Sequence, residues 1–177
     1  FKNGQRIFYT NHNSNSIIFK NNKSNKNEDF KSIDPRMKLR IGFNSVNTIR
    51  RQLLITVDEN ATSGVDWGYD SKYIDTQIDD MYWMLNNEKY LIQAINTITN
   101  ETRIPLGIHT DTPGFNSITI DKLENLIRQD LNVYLLDKDL NIYHDLQESR
   151  YKTYLPAGSH LNRFEITFSK SQTLSAE

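Results

Sequence analysis

The chain has no cysteine. That excludes disulfide staples, thiolate zinc sites and a cysteine nucleophile. No stretch approaches the roughly 18 consecutive apolar residues of a membrane-spanning helix, and no charged-then-apolar leader opens the sequence. Neither sign of charge dominates. Lys and Arg number 21 against 22 acids, a net of −1, which excludes a nucleic-acid protein held by overall basicity. The four histidines, at 12, 109, 144 and 160, form no i, i+4 pair, so no helical zinc-hydrolase motif is present. A Gly-x-Ser-x-Gly nucleophile turn is also missing. Glycine and proline are sparse, at seven and four, against twenty asparagines.

The 177 residues suit one domain, with or without an arm, and support one substantial core. The chain opens on Phe1 rather than Met, which reads as a piece of a longer protein. Charge is unevenly placed. Residues 1–50 carry ten Lys/Arg against Glu28, Asp29 and Asp34, a net of +7; the rest carries eleven against nineteen acids, a net of −8. The close cancellation favours early basic strands lying beside later acidic ones over a basic arm seeking an anionic partner. Residues 1–36 read as two short strands, Arg6–Tyr9 and Ser16–Phe19, and an apolar-free loop at 21–28, part of or packed on the main domain. Residues 37–170 form that domain, and 171–177 read as a linker towards a missing C-terminal segment.

From residue 37 the apolar period is two. Met37, Leu39, Ile41 and Phe43 alternate with Lys38, Arg40, Gly42 and Asn44, the pattern of a half-buried strand. Leu53–Val57 is continuously apolar apart from Thr56, and Asp80–Leu85 is apolar on both faces, which places Trp83 in the core. Further short strands are expected at 90–95, 105–110, 116–120, 133–137, 141–145, 150–154 and 163–169. Asn86-Asn87, Pro113-Gly114, Asp137-Lys138-Asp139 and Pro156-Ala157-Gly158 supply turns. The spacing predicts an all-β, antiparallel, jelly-roll-like β-sandwich. One short helix is expected around 121–129, with Asp121 as N-cap, Glu124 at the capping-box position, and Leu123, Leu126 and Ile127 on one face.

The densest chemistry lies between Asp58 and Asp80, with seven acids and one base, Lys72. Asp58, Glu59, Asp66 and Asp70 are candidate ligands for Ca²⁺, a hard ion that takes oxygen donors. The competing reading is a solvated loop whose aspartates make Asx turns. Trp67, between Asp66 and Gly68, and Tyr69 are candidate ligand-facing aromatics, with Asp66 and Asp70 beside them. This is the chemistry of a carbohydrate-binding loop, in which rings stack on sugars and carboxylates take the hydroxyls. No pair of acids stands out as catalytic, and no enzyme is predicted.

The order of motifs resembles one family. Ala61-Thr62-Ser63-Gly64-Val65-Asp66-Trp67-Gly68-Tyr69-Asp70 is succeeded by Leu91-Ile92-Gln93, Ile104-Pro105-Leu106-Gly107 and Gly114–Ile120. Val133–Asp137 with Tyr143-His144-Asp145-Leu146 comes next, then Tyr151–Tyr154, Gly158 and Arg163-Phe164. Together these resemble a surface-protein module of Bacteroidetes, especially flavobacteria, that sits just before the C-terminal sorting domain of type IX secretion cargo. Residues 1–36 have no counterpart in it, and Leu136 stands where the family usually has a polar residue. The resemblance implies a non-catalytic extracellular or outer-surface module, serving as a spacer or adhesion unit. Its partners would be neighbouring domains of the parent chain and glycans or other surface components. On the matched residues, Gly64 and Gly68 are expected to supply positive φ or close approach, and Asp145 to accept from backbone amides or from Arg163.

Overall fold

The computed structural model describes residues 34–126 and 131–170. The chain divides into two units, Phe1–Asp34 and Pro35–Glu177, and the described strands all lie in the second. The expected strands at Arg6–Tyr9 and Ser16–Phe19, the loop at 21–28 and the linker at 171–177 lie outside the described residues.

The period-two alternation from residue 37 is realised as β1 (Lys38–Asn44), and Met37, Leu39, Ile41 and Phe43 are all buried. Its antiparallel partner is β2 (Arg50–Val57). Next along the chain are β3 (Ser71–Lys72), β4 (Asp80–Leu85), β5 (Glu88–Ile95), β6 (Arg103–Thr110) and β7 (Gly114–Glu124). The last four are β8 (Tyr134–Asp137), β9 (Ile142–Asp145), β10 (Tyr151–Leu155) and β11 (Gly158–Thr167). The protein is all-β, and no helix occurs among the described residues.

One hydrogen-bonded path joins the strands in the order β10-β7-β1-β2-β5-β4-β6-β11-β8-β9, with β3 added on β5. The resulting sheet is barrel-like and nearly closed. Most pairings are antiparallel, but β2 and β5 run parallel. β5 forks the sheet. Tyr90 lies between Lys72 and Trp83, while Ile92 lies between Ser71 and Leu54. With β3 along one edge, β4 and then β2 share the other. Trp83, fully buried, closes this fork by donating its indole N–H to the Leu54 carbonyl at 3.1 Å. One arm runs through β2, β1, β7 and β10, the other through β4, β6, β11, β8 and β9. Both arms supply one apolar cluster, in which Phe43 and Ile55 join Leu106 and Phe164.

The helix expected at 121–129 is replaced at its start by strand. Lys38, Leu39 and Arg40 pair with Glu124, Leu123 and Lys122, and the register then shifts so that Ile41 pairs with Ile120. Asp121 is the residue skipped by that β-bulge. Its carboxylate takes hydrogen bonds of 2.6 Å from both Arg50 and Gln52, and it fills the space where a Cβ at Gly42 would stand. The expected N-cap is therefore used as a cross-strand acceptor, because β1 offers a full ladder of backbone partners. Residues 127–129 of the expected helix lie outside the described residues.

Asparagine does glycine's work in the turns. Asn86 and Asn87, with φ of 51° and 62°, form the two-residue connection from β4 to β5, and Asn125 and Asn141 also have positive φ. Asparagine tolerates this left-handed region better than other residues with a Cβ.

Candidate functional site

The loop from β2 to β3 carries the candidate ligand residues, and its own polar groups hold it in place. Asp70 is the anchor. One oxygen accepts from the Asp66 amide at 2.6 Å, and the other from the Ala94 amide of β5 at 2.8 Å. The second bond extends the edge of β5 beyond the two residues of β3. Asp66 then accepts from the amide and hydroxyl of Thr62. Its carbonyl receives the amides of Tyr69 at 3.2 Å and Asp70 at 3.0 Å. Gly68 has φ of +86°, which lets the chain turn tightly between Trp67 and Tyr69. Gly64 does not have positive φ, and a Cβ there would meet only Thr62 Oγ1 at ordinary contact distance. Its amide simply donates to that hydroxyl, so the expected backbone role holds for Gly68 alone.

This turn displays Trp67, which is 98% exposed. Tyr69 is half-buried. Val65, Ile74 and Ile78 on the same β2–β4 connection are exposed as well. Burying a large apolar side chain is worth about 2–3 kcal/mol, and Trp67 forgoes that gain on a loop fixed by carboxylate–amide bonds.

The four candidate calcium ligands do not converge. Asp58 is engaged by Asn60 through both backbone and side chain and by Arg36 at 3.1 Å. The Asn60 amide, then Arg36, hold its carboxyl below the ordinary carboxylate value against the opposing effect of burial. Glu59 is exposed. Asp66 and Asp70 are brought together, but each already accepts the loop's own donors. Among the described residues no three His, Asp or Glu side chains gather as a metal site. Of the aspartates, Asp58 makes an Asx turn to the Asn60 amide, whereas Asp66 and Asp70 accept from amides four residues earlier in the loop, and Asp70 also from β5.

Asp145 and Arg163 do not meet. Asp145 accepts the Gln147 amide at 2.8 Å, which is the expected backbone role. Arg163 forks onto Asp137 instead, with Nε and Nη2 at 2.9 and 2.8 Å. Asp137 has 0% exposure and also accepts the Tyr151 hydroxyl at 2.8 Å. Burial works to raise the Asp137 pKa, but Arg163 and Tyr151 together hold it below its ordinary value. Burial, then the bond to Asp137, pushes the Tyr151 phenol up to about 12. Of the two expected partners Asp145 has the backbone one, and the partner of Arg163 is Asp137, an acid that ends the apolar run Val133–Leu136 where burial is expected.

A second buried network escaped sequence reasoning. Asp80 accepts Arg51 through Nε at 2.6 Å and Nη2 at 2.7 Å, and the Tyr73 hydroxyl at 2.9 Å. The Tyr73 phenol is pushed up to about 12, by burial and then by Asp80. Its neighbour Asp79 faces the other way and accepts from Asn47 at 2.9 Å and from the Asp111 amide at 2.8 Å.

The histidines are dispersed. His109 Nδ1 lies 2.8 Å from Ser159 Oγ as a cross-strand pair between β6 and β11, and no carboxylate is bonded to the other ring nitrogen among the described residues. His144 bonds the Ser149 carbonyl and His160 the Pro156 carbonyl.

These features define an all-β domain with a fixed, aromatic-tipped loop at one side. The chain belongs to the family described as a domain of unknown function, DUF8693, whose match covers residues 1–168 and so spans both units. No curated protein and no solved structure matches it.

Proposed function

We propose that this domain is a non-catalytic attachment module of a larger secreted or surface-anchored bacterial protein, and that the Asp58–Asp70 loop is its recognition element. The observation that carries the reading is Trp67, almost wholly exposed on a turn held by Asp66 and Asp70. A tryptophan displayed on a turn held by hydrogen bonds suits binding because it offers a large contact area and has only two side-chain torsions to order. Glycans are the ligand class this loop suits best, since the ring can stack on a sugar face while half-buried Tyr69 and nearby backbone groups meet hydroxyls. The motif order from Ala61 to Phe164 supports an extracellular setting next to a type IX sorting signal. The test is retention of the purified domain on a panel of immobilised polysaccharides. Retention on at least one, lost in Trp67→Ala, supports the reading.

The second reading is a spacer that only separates neighbouring domains of the parent chain. It is favoured by the two buried charge networks, which stiffen the domain without serving a ligand. A spacer would be retained on none of the panel.

A further inference from the structure

A cleft of about 330 Å³ opens at the end of the sheet where β4 finishes, β6 begins and the β5–β6 loop turns. Its volume is at the lower end of the roughly 300–1,000 Å³ typical of small-molecule sites. Met84, Leu85, Ile95 and Ile104 give it an apolar wall. Against that wall lies Gln93, only 6% exposed, whose Oε1 is sealed from solvent and has no hydrogen-bond partner. A buried acceptor of this kind is uncommon, because leaving it unpaired forfeits the hydrogen bond it made in water. On the rim stands Arg103. Its guanidinium donates from Nη1 to the Asn100 and Thr102 carbonyls, both at 3.1 Å, and no carboxylate pairs with it among the described residues. The remaining donors of its planar fork are free for an anion.

The rim is already built. The Thr99 amide donates to Thr102 Oγ1 at 2.9 Å, the Glu101 amide to Thr99 Oγ1 at 3.2 Å, and Ser169 Oγ to the Asn100 carbonyl at 2.6 Å. Next to Gln93, the Ala94 amide is fixed by Asp70. The rim is thus ordered before a ligand enters, which keeps the ordering cost low, and the Gln93 side chain is the group that must turn.

We propose that this cleft binds a sugar-sized, hydroxylated anion, such as a uronic acid. With its amide turned out of that sealed position into the cleft, Gln93 would bond the hydroxyls, Arg103 the carboxylate, and the apolar wall the carbon face of the ring. The inference goes beyond the loop reading and does not rest on it: of the Asp58–Asp70 loop only Ser63 touches the cleft, and Trp67 does not line it.

The experiment is an amide-resolved NMR titration of the full 177-residue chain with D-glucuronate, D-glucose and acetate at matched ionic strength. Saturable shifts at Thr99, Thr102, Arg103 and the Gln93 side-chain amide are expected with glucuronate, in the millimolar range. Glucose, with the hydroxyls but no charge, should bind at least tenfold more weakly, and acetate should not saturate. Arg103→Gln, at an exposed position, should bring glucuronate down to the glucose level. Gln93→Leu should abolish binding without lowering the melting temperature, since it removes an unpaired buried amide. No saturable shift at these residues overturns the proposal, as does equal binding of acetate, or glucuronate binding unchanged by Arg103→Gln. Shifts confined to residues 65–70, which do not line the cleft, would also overturn it, while leaving the Trp67 reading intact.

Discussion

Arg163→Met is the most informative single perturbation of the fold. It strips both N–H donors from a carboxylate with 0% exposure and leaves the Tyr151 hydroxyl as its remaining side-chain partner. Removing one member of a buried ion pair costs about 3–5 kcal/mol, because the other charge stays desolvated. Arg163 keeps 14% of its side chain in solvent, so water can reach part of the vacated space, and the expected loss lies near the lower end, about 3 kcal/mol. For a chain of this length, about 2–4 °C per kcal/mol gives a melting temperature lowered by roughly 6–12 °C. Adding Asp137→Asn removes the orphaned charge and should recover about 1 kcal/mol of that loss. Urea unfolding of the two variants and the parent provides the numbers, with unchanged slope as the check that only stability moved.

The same network has a pH signature. Asp137 is held below its ordinary value near 3.8, so its contribution is complete above that value and is lost as pH falls through the lower folded pKa. The parent should therefore lose stability below about pH 3.8, and Arg163→Met should flatten that part of the acid limb. A loss under about 1 kcal/mol in Arg163→Met, the worth of an exposed pair, together with an unchanged acid limb, would refute the claim that this network is desolvated.

The geometry sets three other expected outcomes. Tyr73 and Tyr151, both pushed up to about 12, should ionise in a late phase of an ultraviolet titration, and Tyr151→Phe should remove part of it. Because both folded values lie above the ordinary value of 10.0, their stabilisation is complete below pH 10 and fades as pH rises towards 12. Asp70→Ala frees the Ala94 and Asp66 amides and should cost about 1–3 kcal/mol, with faster hydrogen exchange at both. Asn87→Gly, at φ 62°, should be neutral or slightly stabilising in thermal melts, since glycine meets no penalty there.

Periodicity and turn chemistry located most of the strands, but not their arrangement in a nearly closed, barrel-like sheet with one parallel pair. Met37–Phe43, Asp80–Leu85 and the turn Asn86-Asn87 are found as read, because alternation and turn chemistry are local properties. β3 was not legible. It is two residues long and exists because β5 has an open edge and Asp70 and Tyr73 fasten the chain to it. The start of the helix expected at 121–129 failed for the opposite reason, as a strong local capping signal over 121–124 was overruled by the long ladder with β1. Trp67 and the loop carboxylates were legible as exposed chemistry, but not the use of those carboxylates as acceptors for their own backbone. Asp137 with Arg163, and Asp80 with Arg51, depend on cross-strand register. Phe164 sits opposite Asp137, a fact that sequence separation does not encode.

Everything proposed for the loop requires that Trp67 binds rather than packs. Affinity electrophoresis of parent and Trp67→Ala in gels containing a retained polysaccharide, paired with thermal melts of both, decides between the two. Trp67→Ala is expected to lose retardation while its stability stays within about 0.5 kcal/mol of the parent, as for a surface change that removes no packing. Retardation equal to the parent's, or a melt lowered by many degrees, would contradict a binding role.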